Sequence, residues 1–194
     1  MMTVRRILTI GDNAERTDII RDGVERAGHQ WLGALPPDTD LRTEVARHEP
    51  DIIILDILAP VSGVTSRLLA AVREIRRPTV MFVEESDSRM AEAAVEAGVS
   101  VYVVAGLEAR RVGALLDTAV SRHQFFEQLR SERDAARAAL EDRKVIERAK
   151  GLLMQEKGLS EPDAYAAMRR SAMKSNRKLA DIARGIITTF DLDV

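Results

Sequence analysis

Five short apolar runs, each followed by a stretch with helical spacing, dominate the front of this chain and leave few ways to fold it. The runs are Ile7–Ile10, Trp31–Ala34, Ile52–Leu55, Thr79–Val83 and Val101–Val104. Between them lie amphipathic stretches at Glu15–Ala27, Leu41–His48, Val64–Ile75 and Ser88–Ala97. Gly28 and Gly98 stand where helices end, and Pro50 and Pro78 sit just ahead of strands. Strands that are apolar throughout and alternate with helices predict a parallel five-stranded sheet covered on both faces. In such a sheet the working crevice lies at the carboxyl ends of the strands.

Acidic and amide side chains collect at those ends. Asp12 and Asn13 follow the first strand and Asp56 follows the core of the third, so the three are expected to share one pocket. Asp12 and Asp56 read either as a Mg²⁺ site or as solvated strand-end acids. Catalysis is not expected there, because no His, Ser or Lys lies in these motifs to act as nucleophile or acid. His29, His48 and His123 are scattered and lack the spacing of metal ligands.

No cysteine is present, which excludes disulfides, thiolate metal sites and thiol nucleophiles. No run approaches the ~20 apolar residues needed to span a bilayer, and MMTVRRILTI lacks the features of a signal peptide. A cytoplasmic protein without membrane contact is therefore expected. The net charge of -2 hides an asymmetry. From Arg143 onward there are 11 Lys+Arg against 7 Asp+Glu, whereas residues 1–142 hold 18 against 24. The basic end is the one that would attract a polyanion.

That end carries three helical patterns. The first passes through Val145, Ile146, Ala149, Leu152 and Leu153 and stops at Gly158. Ser160 offers an N-cap oxygen to a second helix that begins with Pro162 and Asp163 and continues through Ala164, Met168 and Ala172. Asn176 is expected to cap a third, whose apolar face is Leu179, Ile182, Ala183, Ile186, Ile187 and Phe190. Met154, Met168 and Met173 are expected to fill gaps in this small core. Tyr165 reads either as a core cap or as a base-stacking surface. Exposed cations suited to phosphate are Arg148, Lys150, Arg169, Arg170, Lys174, Arg177 and Lys178; taken alone, such residues are more often just a solvated face. Lys150 adjoins Gly151, where a missing side chain admits close approach of another backbone.

Between the two ends, Leu116, Val120, Phe125, Leu129, Ala136 and Leu140 form an intermittent apolar seam. Arg130, Glu132, Arg133 and Arg137 fill the other faces. This pattern predicts a long helix whose seam pairs two chains in a parallel coiled coil, or else packs on its own domain. The expected partition is thus 1–122 for the α/β domain, 123–142 for the helical connector and 143–194 for the small all-α domain.

The segments IERAKGLLM (Ile146 to Met154), GLSEPDAY (Gly158 to Tyr165), MRRSAM (Met168 to Met173) and KLADIA (Lys178 to Ala183) resemble the ANTAR domain of the AmiR and NasR antitermination regulators. The resemblance implies a three-helix module that binds a leader-RNA hairpin and prevents a terminator from forming. DIIILD (Asp51 to Asp56), PTVMFV (Pro78 to Val83) and EAGVSVYVV (Glu96 to Val104) resemble the flavodoxin-like receiver domain of response regulators, with Asp56 at the phosphoacceptor position. That likeness implies Mg²⁺ held by Asp12, Asn13 and Asp56. However, Val83 stands where receivers carry Ser or Thr, Glu84 follows it, and Ala105 replaces the Lys after the fifth strand, with Gly106 behind it. Without a hydroxyl or a cation to read a phosphoryl group, control is expected not to depend on phosphorylation, and no cofactor is required.

MFVEESD (Met81 to Asp87) and AGVSVYVVAGL (Ala97 to Leu107), together with the tail, are similar to NasT-type regulators of nitrate and nitrite assimilation. That likeness implies a separate nitrate-sensing partner. The alternative reading is a conventional phosphorylated response regulator whose output domain binds DNA or a protein.

Overall fold

The computed structural model describes residues 3–58 and 62–191. The chain divides into two compact units, Met1–Glu127 and Gln128–Val194. In the first, strands β1 (Arg6–Ile10), β2 (Gln30–Leu35), β3 (Ile52–Ile57), β4 (Thr79–Val83) and β5 (Val101–Val104) alternate with α1 (Ala14–Arg26), α2 (Leu41–His48), α3 (Ser62–Ile75) and α4 (Ser88–Ala97). All neighbouring strands pair in parallel, in the order β2-β1-β3-β4-β5. The expected five-stranded sheet is therefore present.

Successive side chains on a strand point to opposite faces, and the core divides accordingly. Leu8, Ile10, Ile53, Leu55, Ile57, Met81 and Val83 pack under α2, α3 and α4 through Leu41, Leu68, Val72 and Ala94. Ile7, Ile52, Ile54, Val80, Phe82 and Val101 pack against Ile20 and Val24 of α1. Val112, Leu116 and Ala119 complete that second layer from the long helix α5 (Ala109–Lys157). Because each strand is buried on both sides, the apolar runs are continuous rather than alternating.

In the second unit, the end of α5 packs with α6 (Glu161–Ser175) and α7 (Leu179–Asp191). Its centre is Ala149, Met168 and Ala183, flanked by Val145, Ile146, Leu153, Leu179, Ile182, Ile186 and Ile187. Gly158 adopts φ 65° after the last turn of α5, and Ser160 caps α6 through Asp163 N. Two expectations are corrected here. Asn176 does not cap the third helix; it lies in the left-handed region and closes α6, its N–H bonding Ala172 O and Met173 O. Of the three methionines, only Met168 is interior: Met154 is 41% exposed and Met173 74%, because the alanines at the centre leave no gap for them.

Helix α1 shows how closely its layer is packed. A glycine inside a helix normally costs stability relative to alanine. At Gly23, however, a Cβ would lie 2.6 Å from Ala109 O and 2.6 Å from Val112 Cβ. The clash is with backbone of α5, so no rotamer relieves it. Gly23→Ala is expected to destabilise the protein by about 1–3 kcal/mol in spite of the better helix propensity, measurable as a lower chemical-denaturation midpoint.

Candidate functional site

The alternation of β3 places Asp56 in register with Ile52 and Ile54, on the sheet face that α1 covers. Asp56 is 2% exposed, which overturns its reading as a solvated strand-end acid. A carboxylate so far from water needs a counter-charge. Arg16 supplies it from the first turn of α1, on the same helix face as Ile20 and Val24. Its Nε lies 2.9 Å from Asp56 Oδ1 and 3.1 Å from Oδ2, and its Nη2 lies 2.7 Å from Oδ1. The remaining amine, Nη1, donates to Glu84 Oε2 at the end of β4 over 2.7 Å. The side chains of Arg16 and Asp56 are 13% and 1% exposed, so this is a buried pair. The hydrogen bond and charge of Asp56 hold the Arg16 guanidinium above its ordinary pKa, with a further contribution from Glu84.

The other parts of the pocket fit that arrangement. Asn13 spends its side-chain oxygen on the N-cap of α1, accepting from Arg16 N at 2.9 Å. Asp12 is exposed and lines, with Asp56, Asp38, Pro36, Pro37 and Thr65, a cleft of about 480 Å³. Position 11 faces Asp56 directly: a Cβ on Gly11 would stand 3.1 Å from Asp56 Cβ and 3.6 Å from its Oδ2. Val83 is buried and brings no hydroxyl, and Ala105 is exposed at the end of β5. Mg²⁺ requires several oxygens free to approach at about 2.1 Å. Both Asp56 oxygens already accept from Arg16, and the described residues contain no cluster of three or more His, Cys, Asp or Glu fit for a metal. The donor set does not fit the ion implied by the receiver likeness.

Sequence reading missed Arg16. Its signal is a cation at a position of α1 that should be apolar, four residues before Ile20, in a receiver-like chain lacking the cation after β5.

In the second unit the candidate cations separate into two groups. Lys150 is not an exposed contact: it is 9% exposed, and its Nζ lies 2.8 Å from Glu147 Oε2 and 2.7 Å from Glu161 Oε1. It ties α5 to the first turn of α6. Among the described residues beyond its own helix, nothing lies within 4 Å of a Cβ built on Gly151, so no close backbone approach there uses that position. Arg169, Arg170, Lys174, Arg177 and Lys178 are exposed, and their side chains make no ion pair or hydrogen bond among the described residues. Arg170 and Lys174, at i and i+4, share a face of α6. Arg148 is also exposed and lines a groove of about 520 Å³ between α5 and α7. Lys144 and Arg184, two further cations absent from the sequence-based set, flank that groove with Val145, Ile187 and Thr188. Arg184 is bonded to Asp142, and to Asp181 over 2.9 Å. Tyr165 is 44% exposed, so it does not seal the core.

Residues 134–187 match the ANTAR domain. Transcriptional regulatory protein PdtaR of Mycobacterium tuberculosis is 28% identical over 186 residues, 95% of this chain and 90% of that protein. The Nitrate regulatory protein of Klebsiella oxytoca is 40% identical over 62 residues, 32% of this chain and 16% of that protein. The CheY-like receiver domain protein of Methanospirillum hungatei superposes with a TM-score of 0.52 at 18% identity, covering 65% of this chain and 98% of that one. The first unit thus has the fold of a receiver domain, and the ANTAR match falls within the second. No described helix is long and apolar enough to cross a membrane.

The Lys150 tie has a defined pH dependence. Hydrogen bonds to Glu147 and Glu161 raise the Lys150 pKa, so its contribution is complete below the ordinary lysine value and fades only as pH rises through the raised folded one. Lys150 in turn lowers the Glu161 pKa, so that contribution is complete above about 4.5 and is lost as pH falls through the lowered folded value. Lys150→Met is expected to lower the thermal stability of the chain at pH 7. The deficit should narrow in acid below the glutamate range, as read by circular dichroism melts at both pH values.

Proposed function

We propose that this chain is an RNA-binding transcription antiterminator: its C-terminal unit grips a hairpin in leader mRNA and keeps a terminator from forming. The observation that carries this reading is the division among the cations. Lys150 and Arg184 are paired with carboxylates of their own unit, while Arg169, Arg170, Lys174, Arg177 and Lys178 stand exposed without side-chain partners among the described residues. Guanidinium groups suit both phosphate oxygens and the planes of unstacked loop bases. The ANTAR match over 134–187 supports the assignment.

Nitrate and nitrite assimilation genes are the proposed targets. Support comes from the similarity of the output region to the Nitrate regulatory protein of Klebsiella oxytoca and from the NasT-like segments of the receiver unit. Since the shared 62 residues concern output, the signal itself is assigned to a separate nitrate-sensing protein. Two copies are proposed to pair in parallel along α5. Phe125, Leu129 and Leu140 on its seam are 59%, 44% and 55% exposed, which leaves apolar surface for a second helix.

The test separates charge from fold. In an Arg169→Ala, Arg170→Ala, Lys174→Ala triple variant, the helical signal by circular dichroism should be unchanged, because all three side chains are exposed. Affinity for the cognate hairpin should fall, and the slope of log affinity against log salt should flatten by about 2, because three phosphates are no longer neutralised and their counterions stay bound. Undiminished affinity and an unchanged slope in the folded variant would refute this surface.

A further inference from the structure

We infer that Arg16 is a built-in cation: its guanidinium holds the place of a divalent ion in the acceptor pocket and closes the receiver unit to Mg²⁺. This inference concerns the first unit alone and does not depend on the RNA-binding reading. Four observations carry it. Both oxygens of Asp56 accept hydrogen bonds from Arg16 at 2.7–3.1 Å. The same guanidinium reaches Glu84, so one positive group bridges the acids at the ends of β3 and β4. Gly11, the residue aimed at Asp56, contributes no carboxylate, and Asn13 spends its oxygen on the backbone of Arg16 itself. Asp56 is covered, with 1% of its side chain exposed.

Such a pair differs from a bound ion in a decisive way. A metal arrives and leaves with concentration, whereas a side chain is present at a fixed position in every folded molecule. Arg16 also sits on the buried stripe of α1 with Ile20 and Val24, so the packing of that helix holds it in place. A carboxylate whose lone pairs are engaged by a fork of N–H groups, and which is screened from solvent, is a poor nucleophile. The acceptor position is therefore a structural tie between β3, β4 and α1. It is a separate reason for phosphorylation-independent control, additional to Val83 and Ala105.

The test uses the full chain with Mg²⁺ alone as the probe. Wild-type protein should melt at the same temperature with and without millimolar Mg²⁺. Arg16→Met leaves Asp56 buried and unpaired, and should lower the melting temperature by about 10 °C. Millimolar Mg²⁺ should restore part of that loss, because the oxygens of Asp56 and Glu84 that Arg16 engages are then free to accept another cation. The Arg16→Met, Asp56→Asn double variant should show no Mg²⁺ response, which separates the pocket from general screening of an acidic surface. If the methionine variant does not fold, Arg16→Gln, which retains an amide donor, takes its place in the same comparison. Stabilisation of the wild type by Mg²⁺ equal to that of the Arg16 variant would overturn the inference. So would an Arg16 variant that Mg²⁺ does not restore, or a double variant that responds like the single one.

Discussion

A carboxylate removed from water must be neutralised, and the receiver unit is organised around how Asp56 meets that requirement. The strand that carries it is apolar on both faces because both faces are covered, so water cannot serve. Breaking a buried ion pair by removing one partner typically costs about 3–5 kcal/mol, a large part of the stability of a domain. The Arg16–Asp56 pair is thus a condition of the fold as well as a statement about the site. It also alters the meaning of Asp56→Asn: that change removes the acid at position 56 and at the same time leaves a buried guanidinium with only Glu84. Loss of regulation in that variant would not by itself identify phosphorylation.

The second unit handles its charge by a different rule. Its core is small and rich in alanine, so its three helices are also fastened at their edges by ion pairs. Lys150 joins α5 to α6, and Arg184 joins α7 to α5 through Asp142. Cations used in this way are poor candidates for a polyanion, because binding would first have to displace a carboxylate. Those on the outer face of α6 and in the turn after it carry no such cost. A modest excess of positive charge is therefore concentrated into a local surface, and that concentration supports nucleic-acid binding better than the net charge does.

Much of this organisation was legible in the residues. Continuous apolar runs between amphipathic stretches specify a doubly covered parallel sheet, and each of the five strands lies where its run lies. Ser160 with Pro162, and Gly158 before them, mark the break between α5 and α6 because each has a distinct backbone requirement. The failures are equally physical. Asn176 suits either end of a helix, since its side chain caps N-termini and its backbone tolerates the left-handed region. Lys150 looked exposed because helical spacing alone cannot show that Glu161, eleven residues away across a turn, folds back onto it. Arg16 is hidden in the sequence because a basic residue in the first turn of a helix reads as surface until the acid opposite it is known to be buried.

The central claim is that the exposed cations of the second unit read RNA, and one binding comparison addresses it most directly. Full-length protein is titrated with a leader-RNA hairpin and, separately, with duplex DNA of matched length at the same salt concentration. The account requires clear preference for the hairpin, lost when its loop bases are replaced while the stem is kept, because sequence-specific RNA recognition targets unstacked loop bases. Equal affinity for both nucleic acids, or tighter binding to the duplex, would contradict it.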